Sequence, residues 1–286
     1  MKNQKGLSLK RRVYSAVSLG FVWLCMAIAV GLIAILIGFI LYRGLGHITW
    51  ELLSTARSAL RGTIGIWPNI LFTLYIIFTT LILVLPVGIG AAIYLNEYAT
   101  NRRLVRMIEF ATETLAGIPS IVYGMVGLLV FVNALGLQPS ILVGALTLAI
   151  MTLPIVVRTT QEALKTVPLS YREGAFALGA TKWYMIRTII LPSSLDGIVT
   201  GAILSVGRMV GESAALLLTA GMAFTLVTNY FEALGTRGAT LTVALFLYAT
   251  EHGEFDVSFA IASILVIIVL LLNFGVKLVK RKLKKI

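Results

Sequence analysis

The chain has 286 residues, of which 58% are hydrophobic and only 13% charged. Soluble domains carry about a quarter charged residues, so this composition excludes one and points to an integral membrane protein. The formal net charge of +12 would suit nucleic acid, but its distribution along the chain argues for a topology signal instead.

A basic segment, residues 1–12, precedes the first apolar run, Val13 to Tyr42. A cleavable signal has an apolar region of about 7 to 15 residues, so this longer run is expected to remain as a span. Cys25, the only cysteine, lies inside it, which excludes a disulfide within the chain. Further stretches near the about 20 residues that cross hydrocarbon are Ile70 to Asn96, Ile108 to Val132, Ser140 to Val157, Ser194 to Met222 and Val257 to Val276. The expected fold is an all-α membrane protein of six transmembrane helices, forming one domain over residues 13–276, with a basic tail at 277–286. Thr240 to Ala249 is apolar but too short to span, and is expected as an interfacial or re-entrant helix in the last outer loop.

Nineteen of the 24 lysines and arginines lie before span one, between spans two and three, between four and five, or after six. The alternate side holds only Arg43, Arg57, Arg61 and Arg237. This is the positive-inside pattern, which places both termini in the cytoplasm. The basic tail then reads as a topology and lipid-surface anchor, and nucleic-acid binding is set aside.

The cytoplasmic loop at 158–193 carries the most specific pattern. Ser170 and Glu173 are spaced as a capping box at a helix start, Gly179 is placed to end that helix in a left-handed turn, and Thr181 can cap a second helix bearing Lys182, Trp183, Tyr184 and Arg187. An ordinary capped loop would satisfy this much. The longer register of Glu173, Ala175, Gly179, Ile189, Leu191 and Pro192 resembles the EAA loop of ABC-importer permeases, with Gly174 where that pattern has alanine. The resemblance implies that Glu173, Gly174, Ala175 and Gly179 dock a separate ATPase.

In span five, glycines recur four apart at Gly197/Gly201 and Gly207/Gly211, a spacing that lets helix backbones approach closely in lipid. Arg208 and Glu212 are also four apart, hence expected on one helix face, about 6 Å apart along the axis. An intramembrane arginine costs about 2.5 to 3.5 kcal/mol on insertion scales, so something must compensate for it. Either Glu212 neutralises it and the pair orders the bundle, or Arg208 faces a wet pathway and meets an anion with its planar fork of donors.

The segment Gly207 to Leu217 resembles the Arg-x-x-Gly-Glu-Thr-Ala-Pro-Leu-Leu stretch of the A-type permease subunit of bacterial phosphate ABC importers. Leu85 to Ala99, Ala116 to Ser120 and Leu153 to Thr160 extend the likeness, with Ser213 for threonine and Ala215 for proline as departures. The resemblance implies a type I ABC importer permease with Arg208 and Glu212 as the pathway pair. Arg158 is then a second anion contact, or else only a positive-inside anchor. It also implies a second permease, two ATP-binding subunits and an extracytoplasmic phosphate-binding protein facing Ala223 to Asp256. ATP would be bound by the partner ATPase, leaving this chain with no cofactor and no catalytic residue.

Other motifs fail on their chemistry. Gly174 to Thr181 has the spacing of a phosphate-binding P-loop, but Ala180 stands where lysine must be. Gly88-Ile89-Gly90 lies in an apolar helix without the setting of a dinucleotide site. His47 and His252 lie in outer loops with no ligand cluster, so no metal site is expected. Glu109 and Glu113 share a helix face near the cytoplasmic edge, where a structural role is expected. No nucleophile-and-base pair supports an enzyme. A permease for molybdate or sulfate fits the same features; a secondary transporter or channel gated by Arg208 and Glu212 leaves the EAA-like loop without a purpose.

Overall fold

The computed structural model describes residues 9–58 and 62–283. Arg61 and parts of the basic segments 1–12 and 277–286 therefore lie outside the described residues.

Helix α1 (Leu9–Gly44) leads through a single 3-10 turn to α2 (Trp50–Ser54), which Thr49 caps by accepting from the Leu52 amide at 3.1 Å. Strands β1 (Ala56–Ser58) and β2 (Thr63–Ile66) form an antiparallel hairpin with Ala56 opposite Ile66. Next come α3 (Trp67–Ile93), prolonged by a π turn at Tyr94–Tyr98, then α4 (Arg102–Ala116) and α5 (Ser120–Gly127), the last prolonged by a π turn at Leu128–Ala134. Helix α6 (Ile141–Lys165) enters an elbow made of α7 (Leu169–Ala177), α8 (Lys182–Met185) and a π turn at Ile186–Ile190, which runs directly into α9 (Leu191–Val210). Short helices α10 (Ala214–Thr219), α11 (Tyr230–Leu234) and α12 (Leu241–Thr250) precede the closing α13 (Phe255–Leu283).

Among the described residues, five helical segments are long and apolar enough to cross a membrane: Val17–His47, Trp67–Tyr98, Ile141–Lys165, Lys182–Val210 and Phe255–Gly275. The sixth expected span is broken, because α4 and α5 meet at 99°. Gly117 closes α4, and Pro119, without an amide hydrogen and with an extended ψ of 139°, cannot continue it. The Tyr123 hydroxyl donates to the Leu115 carbonyl at 2.7 Å and braces the bend.

Span five is also displaced from the expected Ser194 to Met222. Its helix starts at Lys182, since Ile186–Ile190 stays helical and Pro192 is accommodated within the same run, just after that π turn. It stops at Val210, and the chain loses helical form over Gly211 to Ser213. The short apolar stretch near the end is α12, with Leu241, Val243, Ala244 and Tyr248 fully buried. The β1–β2 hairpin had no sequence signature, since strands of three and four residues are too short to show alternation. It is pinned by Arg57, whose guanidinium lies 5.3 Å from the Tyr248 ring centre and 5.5 Å from that of Phe224. Burial pushes the Tyr248 hydroxyl above the usual phenol range, with Arg57 opposing the shift.

The bundle is built on α6, flanked by α3 and α9. Small residues set the spacing. A Cβ on Gly88 would lie 2.7 Å from Val156, one on Gly197 3.2 Å from the Ala163 Cα, and one on Gly201 2.7 Å from the Thr159 Cβ. The second glycine pair behaves differently, since Gly207 faces open space and Gly211 meets only its own helix. Substituting Gly201 by valine is therefore expected to force α6 and α9 apart, at about 1 to 3 kcal/mol or more, whereas Gly207→Ala leaves folding unchanged. Thermal unfolding of the two variants in detergent checks this, and equal melting temperatures would contradict it.

Candidate functional site

The elbow departs from the expected capping box. Helix α7 begins at Leu169 with Pro168 as its capping residue, so no side chain caps it, and Ser170 lies already inside the first turn. Proline fixes its own φ at the entry, and the Pro168 carbonyl takes the Tyr171 amide at 3.2 Å. The exit is as expected. Gly179 adopts a φ of +80°, and the amides of Gly179 and Ala180 bond to the carbonyls of Phe176 and Ala175, both at 3.0 Å. This is the Schellman closure that favours glycine. Thr181 caps α8, accepting from the Tyr184 amide at 3.3 Å.

The four docking candidates divide by face. Glu173, Gly174 and Gly179 are exposed, while Ala175 is buried against Leu95, Leu164 and Met185. A Cβ on Gly174 would meet nothing within 4 Å, so glycine here in place of alanine changes no packing. Arg172, which the sequence reading passed over, turns inward from α7 and forms an ion pair with Glu97 at 2.8 Å. Glu97 sits at the end of an otherwise apolar span, and an acid so placed without a neighbouring base was the available signal.

The pathway pair is not a pair in space. Because α9 ends at Val210, Arg208 and Glu212 do not share a helix face, and no ion pair joins them among the described residues. Glu212 is buried at the break, where its Oε1 accepts from the Ala215 amide at 3.1 Å and its carbonyl accepts from the Thr242 hydroxyl at 2.8 Å. The departure at 215 now has a physical meaning. Proline has no amide hydrogen, so alanine supplies the donor that holds the carboxylate. Arg208 is half-buried, with the Tyr123 phenol within its electrostatic reach. Helix α5 touches this break, since a Cβ on Gly124 would lie 2.7 Å from the Ala215 Cα.

Arg158 lies elsewhere, in the second half of α6, toward the elbow. Its Nη1 is 3.2 Å from Glu113 and its Nε 3.2 Å from Glu162. Lys165 reaches Glu109 at 3.3 Å, so Glu109 and Glu113 join α4 to α6. A cavity of about 190 Å³ opens among these five side chains and Gln161. An anion arriving at Arg158 meets a guanidinium that two carboxylates already share.

The model of the family described as binding-protein-dependent transport system inner membrane component matches residues 84–285. The chain is similar to the phosphate transport system permease protein PstA 1 of Mycobacterium tuberculosis (strain CDC 1551 / Oshkosh), with 31% identity over 282 residues, covering 96% of this chain and 91% of that protein. It is also similar to the probable ABC transporter permease protein YqgI of Bacillus subtilis (strain 168), 37% identical over 214 residues, or 75% of this chain and 73% of that one. Among solved structures, a bacterial ABC transporter involved in the import of the acidic polysaccharide alginate aligns with a TM-score of 0.64 at 13% identity, covering 95% of this chain and 99% of that one. The MetNI methionine ABC transporter, in an inward facing conformation, aligns at 0.59 and 21%, covering 77% and 94%. These two likenesses carry the fold alone. With its apolar helices and a family match over most of its length, this multi-pass membrane chain belongs to the binding-protein-dependent transport system inner membrane components.

Proposed function

We propose that the chain is the permease subunit of an ATP-driven phosphate importer. The likeness to a phosphate permease over nearly its whole length supports the substrate. The observation that carries the chemistry is Arg208, a half-buried guanidinium with no carboxylate on it among the described residues. Its planar fork suits a tetrahedral oxyanion and forms charge-assisted bonds stronger than neutral ones. Glu212, tethered to the Ala215 amide, keeps the local net charge low without occupying the arginine, so a bound anion can leave. Arg158 is the second contact on the inward route. Its side chain and those of Glu113 and Glu162 are 56%, 58% and 64% exposed, and ion pairs so exposed are weak enough to exchange.

Residues 13–276 form one transmembrane domain, with the basic termini and the elbow on the cytoplasmic side, as the positive-inside distribution supports. Moving one negative charge into a negative-inside cell costs about 2.3 kcal/mol per 100 mV, and doubly charged phosphate about twice that. The work comes from two ATP-binding subunits docked at Glu173, Gly174, Ala175 and Gly179, and ATP is bound there rather than by this chain. A second permease and an extracytoplasmic phosphate-binding protein complete the assembly, the latter meeting the outer segment 223–256.

Reconstitution of this assembly is expected to give ATP-dependent uptake of labelled phosphate. Strong competition by sulfate or molybdate at equal concentration would overturn the substrate, and uptake without ATP would favour a secondary transporter. Arg208→Ala is expected to lower uptake by about tenfold to a hundredfold, the scale of one lost charged hydrogen-bond pair, with assembly intact; uptake at the parent rate would remove Arg208 from the pathway. Glu212→Ala strands the Ala215 amide and is expected to cost about 1 to 3 kcal/mol of stability. Glu212→Gln keeps an accepting oxygen and melts close to the parent.

A further inference from the structure

The end of α3, with its π turn, grips the elbow through Leu95, Glu97 and Tyr98. Arg172 gives its Nη2 and Nε to Glu97 Oε1 at 2.8 and 3.2 Å. The same guanidinium donates Nη1 to the Val167 carbonyl at 2.8 Å and Nη2 to the Leu164 carbonyl at 3.1 Å, tying in the end of α6. Asn96 donates to the same Glu97 oxygen at 2.8 Å, and Lys182 of α8 sits 5.0 Å from the Tyr98 ring centre. Beneath them Leu95 shares a core with Ala175, Met185 and Ile186.

Two features separate this from an ordinary surface ion pair. The side chains of Arg172 and Glu97 are only 16% and 6% exposed, so neither charge has water to fall back on, and removing one strands the other. The pair also sorts the faces of α7. Arg172 and Ala175, three residues apart, point into the protein, while Glu173, Gly174 and Phe176 stay exposed. One face of α7 is available to a partner and the opposite face is fastened to α3.

Helix α3 then leads away from the elbow. Phe72 and Ile76 near its other end belong to the same buried cluster as Met209, the neighbour of Arg208. From Glu97 to Phe72 a helix covers about 37 Å.

We propose that Arg172 and Glu97 are positioning residues that fasten the docking elbow to α3, so that a displacement imposed on the exposed face of α7 is delivered along α3 to the surroundings of Arg208. This rests on the reading of the elbow as the ATPase docking site. It adds that α3 is the element receiving the stroke, through a buried ion pair rather than through the loop's own backbone.

The test uses the assembled complex with Cys25→Ser and spin labels on Tyr94→Cys and Tyr171→Cys, positions 53% and 51% exposed. Pulsed electron paramagnetic resonance reads the 94 to 171 distance without nucleotide and with vanadate-trapped nucleotide, and phosphate taken up per ATP hydrolysed is measured in parallel. With Arg172 and Glu97 intact, one narrow distance common to both states is expected. Arg172→Met is expected to broaden it and lower uptake per ATP by about tenfold or more, the scale on which stranding a buried charge acts. Arg172→Lys, which keeps the charge but loses the fork, serves where the methionine variant does not assemble; it should broaden the distance less. The exchange Arg172→Glu with Glu97→Arg should restore both readouts in part. An unchanged distance and unchanged uptake per ATP in the assembled variants would overturn the proposal and reduce the pair to a stabilising contact. If the parent complex imports no phosphate, the proposed function fails, and the distance measurement still decides whether the pair fastens the elbow to α3.

Discussion

Inside hydrocarbon a polar group cannot borrow a partner from water, and most of this molecule follows from how each one is supplied. Threonines on the buried helices return their hydroxyls to the carbonyl four residues back, as Thr80 does to Ile76 and Thr152 to Leu148, both at 2.7 Å. Glu212 takes an amide at a helix break, and Glu97 takes a guanidinium and an amide nitrogen. Against that background Arg208 stands out, because its charge lies in the bundle and no acid of its own chain meets it among the described residues. A cation left in this condition has to be met by water or by an anion, and this gives the site its proposed purpose.

The other organising fact is mechanical. The elbow shares one buried cluster with the adjoining ends of α3 and α6, including Ala92, Val157, Leu164 and Ala175. Interiors packed to this degree transmit strain rather than absorbing it. At the opposite end, the Phe72 and Ile76 cluster reaches Met209 and Leu216 on either side of the helix break. The structure therefore has rigid contact at both ends of α3, and an interruption in α9 and α10 where the arginine sits.

Much of this could be read from the sequence. Long apolar runs announce spans because no soluble core needs twenty such residues together, and the loop register around Glu173 and Gly179 identified the elbow. What was lost were the interruptions. Gly117-Ile118-Pro119 breaks span three by 99°, yet prolines at 86 and 154 are accommodated inside α3 and α6, so proline alone does not say which helix will bend. The four-residue spacing of Arg208 and Glu212 implied contact only if the helix continued. Gly211 ended it, and glycine in membrane helices is too common to signal that. Ser170 and Glu173 fitted a capping box, but Pro168 already supplied the helix start. The Arg172 and Glu97 partnership spans 75 residues of chain, beyond the reach of any local pattern.

Helix α1 packs mainly against α13, and its most apolar window has no residue buried within this chain. Its residues answer to hydrophobicity and length but to few neighbours of fixed shape, so interchange among leucine, isoleucine, valine and phenylalanine costs the fold little.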